Sequence, residues 1–530
     1  MRIEDNYDWL VLGNHPGALL TACMAAKLGL SVLILPLGLH LGRLRSYSGQ
    51  YFDPESNFIL GLGKSGEEQG LVLKCLTQLG LIPSYLFDVD INLGLPQVLT
   101  EESRFVLARA DQLSSELYRE YGEGLVQKWG LIKSLSYTEG EFLNYWQNLP
   151  KRLTLNAERK SPSEDPMTLS DLRNRLAKVL RSRDTSLLNW ISNKIKISEI
   201  AHLLKKEDLQ AAVQGLLYGV TGSVSRDPSL FDILHIFNLS RVGASFRGGL
   251  SNYREFLLNS TKNLGAQIPA KAECRRIFVD QGRLIGVQVS NRGSMISVGG
   301  GIIGCSLRSA YDRMTYTGNH FFRRKKLPLL PMGWRFTLAM TVRKESIPRG
   351  MSRRSFWKEK DAPVLEIEIV DSKDYELEDS ENFIIYLRTL MPYSSESLHF
   401  QYQRVIAGRM LRKTVEILPF LEYHIVSIYP DFRFGPGVES FLGALRTSGF
   451  QSESKKNDLM QLYNFTTLNE IPQNLLVYSG EGVGSSSGID GLFVSSDESY
   501  PDLGTLGPTV AAFEAVAWLA HRSGFAGPMI

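Results

Sequence analysis

The chain opens on a hydrophobic run at residues 7–12, YDWLVL, interrupted only by Asp8 and long enough for a strand buried in a parallel sheet. Gly13 permits a sharp turn out of that strand, and Pro16 suits the first turn of a helix. Ala18, Ala22, Ala25 and Ala26 keep the helix narrow, Gly29 stops it, and residues 31–35 (SVLIL) supply a second apolar strand. The pattern predicts a β-α-β unit whose helix presents free N–H groups and partial positive charge to an anion. Two later segments continue the theme. Residues 248–305 read as helix, strand, hairpin and strand, and residues 488–520 as strand, glycine loop and long apolar helix.

The middle is patterned differently. Residues 86–240 are predicted to be helical and charged, with a polar linker at 156–171 and a buried helix, glycine turn and second apolar helix after it. From 334 to 430, alternating stretches such as RFTLAMTV, VLEIEIV and FIIYLRTLM predict an antiparallel sheet. Residues 1–85, 241–310 and 470–530 are therefore expected to form one discontinuous α/β domain, and 86–240 with 311–469 a second. No one of the first three segments has strands enough for a covered parallel sheet.

Composition narrows the class. A chain of 530 residues with 43% hydrophobic and 22% charged residues is an ordinary folded protein of about two domains. A net charge of +3 gives no argument for nucleic acid. Cys23, Cys75, Cys274 and Cys305 lie far apart without CxxC spacing and read as reduced thiols, and the eight histidines show no HxxxH, so no metal is expected. The amino terminus is not expected to be a signal peptide, and no apolar run reaches the ~20 residues of a membrane span. A cytoplasmic protein, at most peripheral to a membrane, is expected.

Taken together, the glycine turn at 13–18, HLGRLRSYSGQYF after the second strand, the 248–305 segment and the 488–520 segment resemble the flavin-dependent amine oxidase superfamily. The resemblance is nearest to its phytoene desaturase and carotenoid isomerase branch. It implies a Rossmann-like FAD-binding domain of the GR2 type, interrupted by a substrate domain of helices and antiparallel sheet. It also implies that Gly13, His15, Gly17 and Ala18 hold the FAD diphosphate, and that Gly42 and Arg43 form the motif after the second strand. Pro36 would face the adenosine ribose, the strand at Cys274 the adenine, and Asp497, Gly504 and Gly507 the ribityl chain and flavin. Catalysis would rest on the flavin, and no catalytic acid or base stands out.

Three positions depart from that pattern. His15 replaces the glycine that lets backbone approach the diphosphate, and its ring is expected to turn away from the helix axis. Pro36 replaces a glutamate and accepts no hydrogen bond, while Ser496 replaces a glycine. The reading that follows is an FAD-dependent oxidoreductase acting on a polyene or other lipid. The alternative is a non-catalytic lipid- or protein-binding relic of the same fold that has lost FAD.

Four smaller features complete the reading. Gly484 to Gly488 (GSSSG) matches a nucleophile motif only formally and is expected to be a flexible loop. Asp53 and Glu55 could be paired acids, and His320 is expected on the surface. Between 323 and 360, twelve Lys or Arg residues face two acids, interleaved with Leu327, Leu329, Leu330, Trp334, Phe356 and Trp357. A solvated basic face explains that stretch, and so does docking of 321–360 on an anionic membrane.

Overall fold

The apolar run at the amino end folds as β1 (Asn6–Gly13), and helix α1 (Pro16–Lys27) returns the chain to β2 (Val32–Leu35), parallel to β1. The structure is a computed structural model that describes residues 3–37, most of 44–81, 96–106, parts of 115–123, 208–222, most of 243–317, 331–359, 362–371, 381–429, 474–478 and 482–522. Onward come α2 (Leu71–Leu79), β3 (Gln97–Leu99), β4 (Arg104–Val106), α3 (Asp208–Thr221) and α4 (Gly249–Asn263). Strands β5 (Cys274–Asp280), β6 (Arg283–Val289), β7 (Ile296–Gly304) and β8 (Met314–Thr317) follow. The next set is β9 (Gly333–Arg343), β10 (Arg354–Trp357), β11 (Leu365–Asp371), β12 (Asn382–Pro392), α5 (Phe400–Ile417) and β13 (Ile425–Tyr429). The described chain closes with β14 (Asn474–Val477), β15 (Ser486–Ile489), β16 (Leu492–Val494) and α6 (Gly507–Arg522).

The first sheet has the order β8-β5-β6-β7-β1-β2, with β16 beside the carboxyl half of β7 and β15 paired to β16. Ile302 of β7 lies between Val11 and Phe493, so the two ends of the chain meet in one sheet. Alternate residues feed two cores. Trp9, Val11 and Ile34 pack under α1, α4 and α6, while Leu10, Leu12, Leu33 and Leu35 pack on the other face with Ile277 and Val287. This is a Rossmann-like α/β domain. Among the described residues, one helical run, Leu503–Arg522, is long and apolar enough to cross a membrane, but most of it is buried against α1 and β16.

The second sheet runs β13-β9-β12-β11-β10-β3-β4, with β14 beside β9, and is antiparallel except where β10 meets β3. It interrupts the first domain as the alternation at 334–430 predicts. Three details differ from expectation. Residues 97–106 form strands, because QVL and RFV alternate around the Thr100–Ser103 turn and join an existing sheet edge. Helix α5 lies inside the stretch expected to be all strand, its Ala407, Met410, Leu411 and Thr414 falling on one buried stripe. Strand β8 belongs to the first sheet and β14 to the second, each just across the boundaries expected at 310 and 470. The linker at 156–171 lies outside the described residues.

Candidate functional site

Strand β1 sits between β7 and β2, and all three end at the same carboxyl edge. That edge, where connections leave a parallel sheet in different directions, is where open α/β sheets bind ligands. Gly13 ends β1 there with φ +96°, and a Cβ would lie 2.4 Å from the Gly304 carbonyl oxygen. Gly17 opens α1 against Ser495 and Pro508, where a Cβ would stand 2.2 Å from the Ser495 hydroxyl. Both glycines thus satisfy contacts within the protein as well as leaving the turn bare.

His15 is the N-cap of α1, held extended at φ −60°, ψ 138° as a residue before proline must be. Its ring turns back over the helix, contrary to the outward swing expected from the sequence. Nδ1 accepts from the Gly17 N–H at 3.4 Å, and Nε2 donates to the Asp497 carboxylate at 3.3 Å. A carboxylate can only accept, so the ring is the tautomer with its hydrogen on Nε2. One N–H of the helix end therefore already has an acceptor.

Asp497 comes from the loop after β16, so the contact joins the two ends of the chain. Its carboxyl lies below the usual carboxylate range. The surrounding protein pushes it up, but the His15 hydrogen bond and the charges of Arg335 and Arg254 outweigh that effect. Its side chain remains exposed at the crevice.

The other expected contacts are scattered along the same edge. Ala18 is buried in the first turn of α1. Pro36 follows β2, and its carbonyl oxygen accepts from the Cys274 N–H at 3.5 Å. Gly504 and Gly507 lie in the turn and first residue leading α6 past the start of α1. Gly42, Arg43, Asp53 and His320 lie outside the described residues.

Sequence reasoning missed a second cluster, on the face of the second sheet turned toward the first domain. Arg388 donates to Glu368 at 2.5 Å, to Glu366 at 3.5 Å and to the Glu55 carbonyl oxygen at 2.7 Å. Arg354 donates to Glu366 at 3.1 Å and lies between the Phe58 and Phe356 rings, 4.9 Å from each centroid. Arg254 of α4 pairs with the Glu55 carboxylate within the first domain, while the Glu55 carbonyl oxygen reaches Arg388 of the second. All of these charged groups are buried. Burial pushes the Glu366 carboxyl up, and Arg354, Arg388 and Arg335 more than reverse it. The signal was in the sequence as the alternation LEIEIV, but it reads there as a strand with one face in water.

Other expectations resolve simply. Gly484 to Gly488 is no flexible loop but leads into β15. There the Ser487 hydroxyl donates to the Leu492 carbonyl and Ser486 accepts from Gly488. Trp334 and Phe356 are buried in the interior, and Trp357 lies under the Lys413 ammonium at 4.3 Å. Residues 321–330, with the Arg323–Arg324–Lys325–Lys326 run, lie outside the described residues. The four cysteines are free. Burial raises their thiols, Cys23 to about 11 and Cys274 and Cys305 to about 12, so they are unreactive at neutral pH.

No family model and no curated protein matches the sequence. Among solved structures, an oxidoreductase from Methanosarcina mazei superposes with a TM-score of 0.52 at 12% identity, over 94% of this chain and 98% of that one. A Rab GDI from Plasmodium falciparum gives 0.49 at 11% identity, over 98% and 99%. Cyclohexylamine oxidase from Brevibacterium oxydans gives 0.48 at 14%, over 98% and 99%. The first of these shows the fold, and the fold alone: a Rossmann-like domain interrupted by a helix and antiparallel-sheet domain. The other two add no weight.

The crevice can be tested against an FAD diphosphate. Protein atoms of Gly304, Ser495 and Pro508 stand where side chains at Gly13 and Gly17 would be, Ala18 is buried, and Asp497 is exposed beside the turn. The His15 ring stands on the Gly17 N–H, however, so a diphosphate requires the ring to rotate away. Two hydrogen bonds of 3.3 and 3.4 Å oppose that rotation, both at the long end of the range. With the His15 ring rotated, the Gly17 N–H and the Asp497 carboxylate present a donor and an acceptor of the kind the cofactor needs.

Proposed function

We propose that the protein is an FAD-dependent oxidoreductase that holds its cofactor weakly. The observation that carries this reading is the meeting of the β1–α1 turn and the Asp497 loop at the carboxyl edge of the parallel strands. Gly13, Gly17 and Ala18 would hold the diphosphate and Asp497 the ribityl hydroxyls, and the flavin would supply a hydride acceptor. The protein's own part is to orient the substrate and exclude water beneath the second sheet. The finer assignment, a phytoene-desaturase-like enzyme acting on a polyene or lipid, rests on the order of the sequence motifs.

FAD titration followed by absorbance is expected to show binding that is partly lost on purification and restored by added FAD. His15→Gly frees the Gly17 N–H and should tighten binding about tenfold. Pro36→Glu returns an acceptor for the ribose and should add up to roughly 3 kcal/mol. A second reading, a binding protein without cofactor, is favoured by the His15 cap, which fills the anion position with the protein's own acceptor. If the wild type and the double variant both lack a flavin spectrum in excess FAD, the second reading stands and the first is abandoned.

A further inference from the structure

We propose that the covered polar face of the second sheet receives the carboxylate of an apolar ligand, held by Arg335 and Tyr218. The ligand's being a substrate rests on the flavoenzyme reading; its binding does not.

The registers lay out this face in rows. Thr337 of β9 stands opposite Arg388 of β12, which stands opposite Glu366 of β11, which stands opposite Phe356 of β10. In the next row Ala339 faces Tyr386, Tyr386 faces Glu368, and Glu368 faces Arg354. Arg335 is two residues before Thr337 and so lies on the same face, toward the end of the sheet where β9 pairs with β14. Arg254, Arg354 and Arg388 each have a carboxylate partner. Arg335 has no hydrogen-bond or ion-pair partner among the described residues, and its Nε is buried and unsatisfied. The Arg335 charge acts on both Tyr218 of the covered face and Asp497 of the crevice.

Helix α3 covers this face closely. Gly219 lacks a side chain where the Phe356 ring stands 2.2 Å from any Cβ. Its neighbour Tyr218 is only 4% exposed, and its buried hydroxyl has no partner. A buried polar atom without a partner costs free energy, and that holds for the Tyr218 hydroxyl and the Arg335 Nε, although Arg335 as a whole is partly exposed. Both groups donate. A carboxylate offers two acceptor oxygens to a guanidinium fork and a phenol, and one negative charge to one unpaired cation. An alcohol would leave the cation uncompensated. A phosphate monoester would bring a second negative charge near Glu366. Leu216, Leu217 and Phe58 in the adjoining core make the rest of the surroundings apolar.

Calorimetric titration of the full-length protein with decanoate, decanol and decyl phosphate, each below its micelle concentration, tests the proposal. Each is run with and without added FAD. Decanoate should bind, Arg335→Gln should weaken it about tenfold or more, and Tyr218→Phe about threefold to tenfold. Decanol should bind more weakly and respond to neither substitution. Neither side chain has a hydrogen-bond partner among the described residues to lose, so Tyr218→Phe should keep the wild-type unfolding midpoint and Arg335→Gln should lose only the charge that acts on Glu366 and Asp497. The proposal is overturned if decanoate does not bind, if Arg335→Gln binds it like the wild type, or if decanol or decyl phosphate binds as tightly. Decanoate binding in a protein that takes up no FAD would sink the flavin reading alone. FAD uptake with equal affinity for decanoate and decanol would sink this inference alone.

Discussion

Replacing Arg388 with alanine is expected to destabilise the protein by about 3–5 kcal/mol, the usual cost of leaving buried charges unpaired. Arg388 is fully buried and holds Glu366, Glu368 and the Glu55 carbonyl together across the domain boundary. Its loss removes the Arg388 guanidinium from both Glu366 and Glu368 and leaves Arg354 beside Glu366. Glu366→Gln and Glu368→Gln added to an Arg388→Met background should recover part of the loss, since the charges that needed pairing are then gone. The pH dependence has a definite sign. In the wild type the Glu366 carboxyl is held below its ordinary range, so its stabilising effect is present above that range and is lost as pH falls through the lowered value. Without Arg388 the carboxyl titrates higher, so the deficit between variant and wild type should narrow as pH drops toward 4. Chemical denaturation at pH 8, 6 and 4.5 measures it. A variant within about 1 kcal/mol of the wild type at pH 8 would mean that water, not Arg388, solvates these glutamates.

Gly13→Ala should have an effect of similar size by a different route. Alanine at φ +96° is strained by about 1–2 kcal/mol, and its Cβ would sit 2.4 Å from the Gly304 carbonyl oxygen, which is backbone and cannot swing aside. Relief requires β1 and β7 to part at the edge where the crevice forms, so the total should reach about 3 kcal/mol or more. Gly29→Ala is the internal control. Its φ is +82° and nothing lies within 4 Å of the added carbon, so only backbone strain of about 1 kcal/mol remains. Equal unfolding midpoints for the two variants would show that the approach of Gly13 to Gly304 is not tight.

The sequence by itself carried local signals for the main strands and helices of the first domain. Tyr7 to Leu12, the small residues of α1, the hairpin at 274–289 and the apolar α6 carry local signals, because a buried parallel strand and a helix packed on it leave little choice of residue. The family resemblance implied that the glycine turn and Asp497 serve one site, and the two meet through His15. What the sequence could not determine were the facts that depend on which surface covers which. Glu366 and Glu368 alternate with Leu365 and Ile367, and nothing local says that the glutamate side faces α3 and α4 instead of water. The same holds for Trp334 and Phe356, whose neighbours in sequence are basic and whose neighbours in space are core. The direction of the His15 ring was decided by Asp497, 482 residues away. Periodicity reports the chemistry of one strand's two faces, but burial is set by a second element that arrives from elsewhere in the chain.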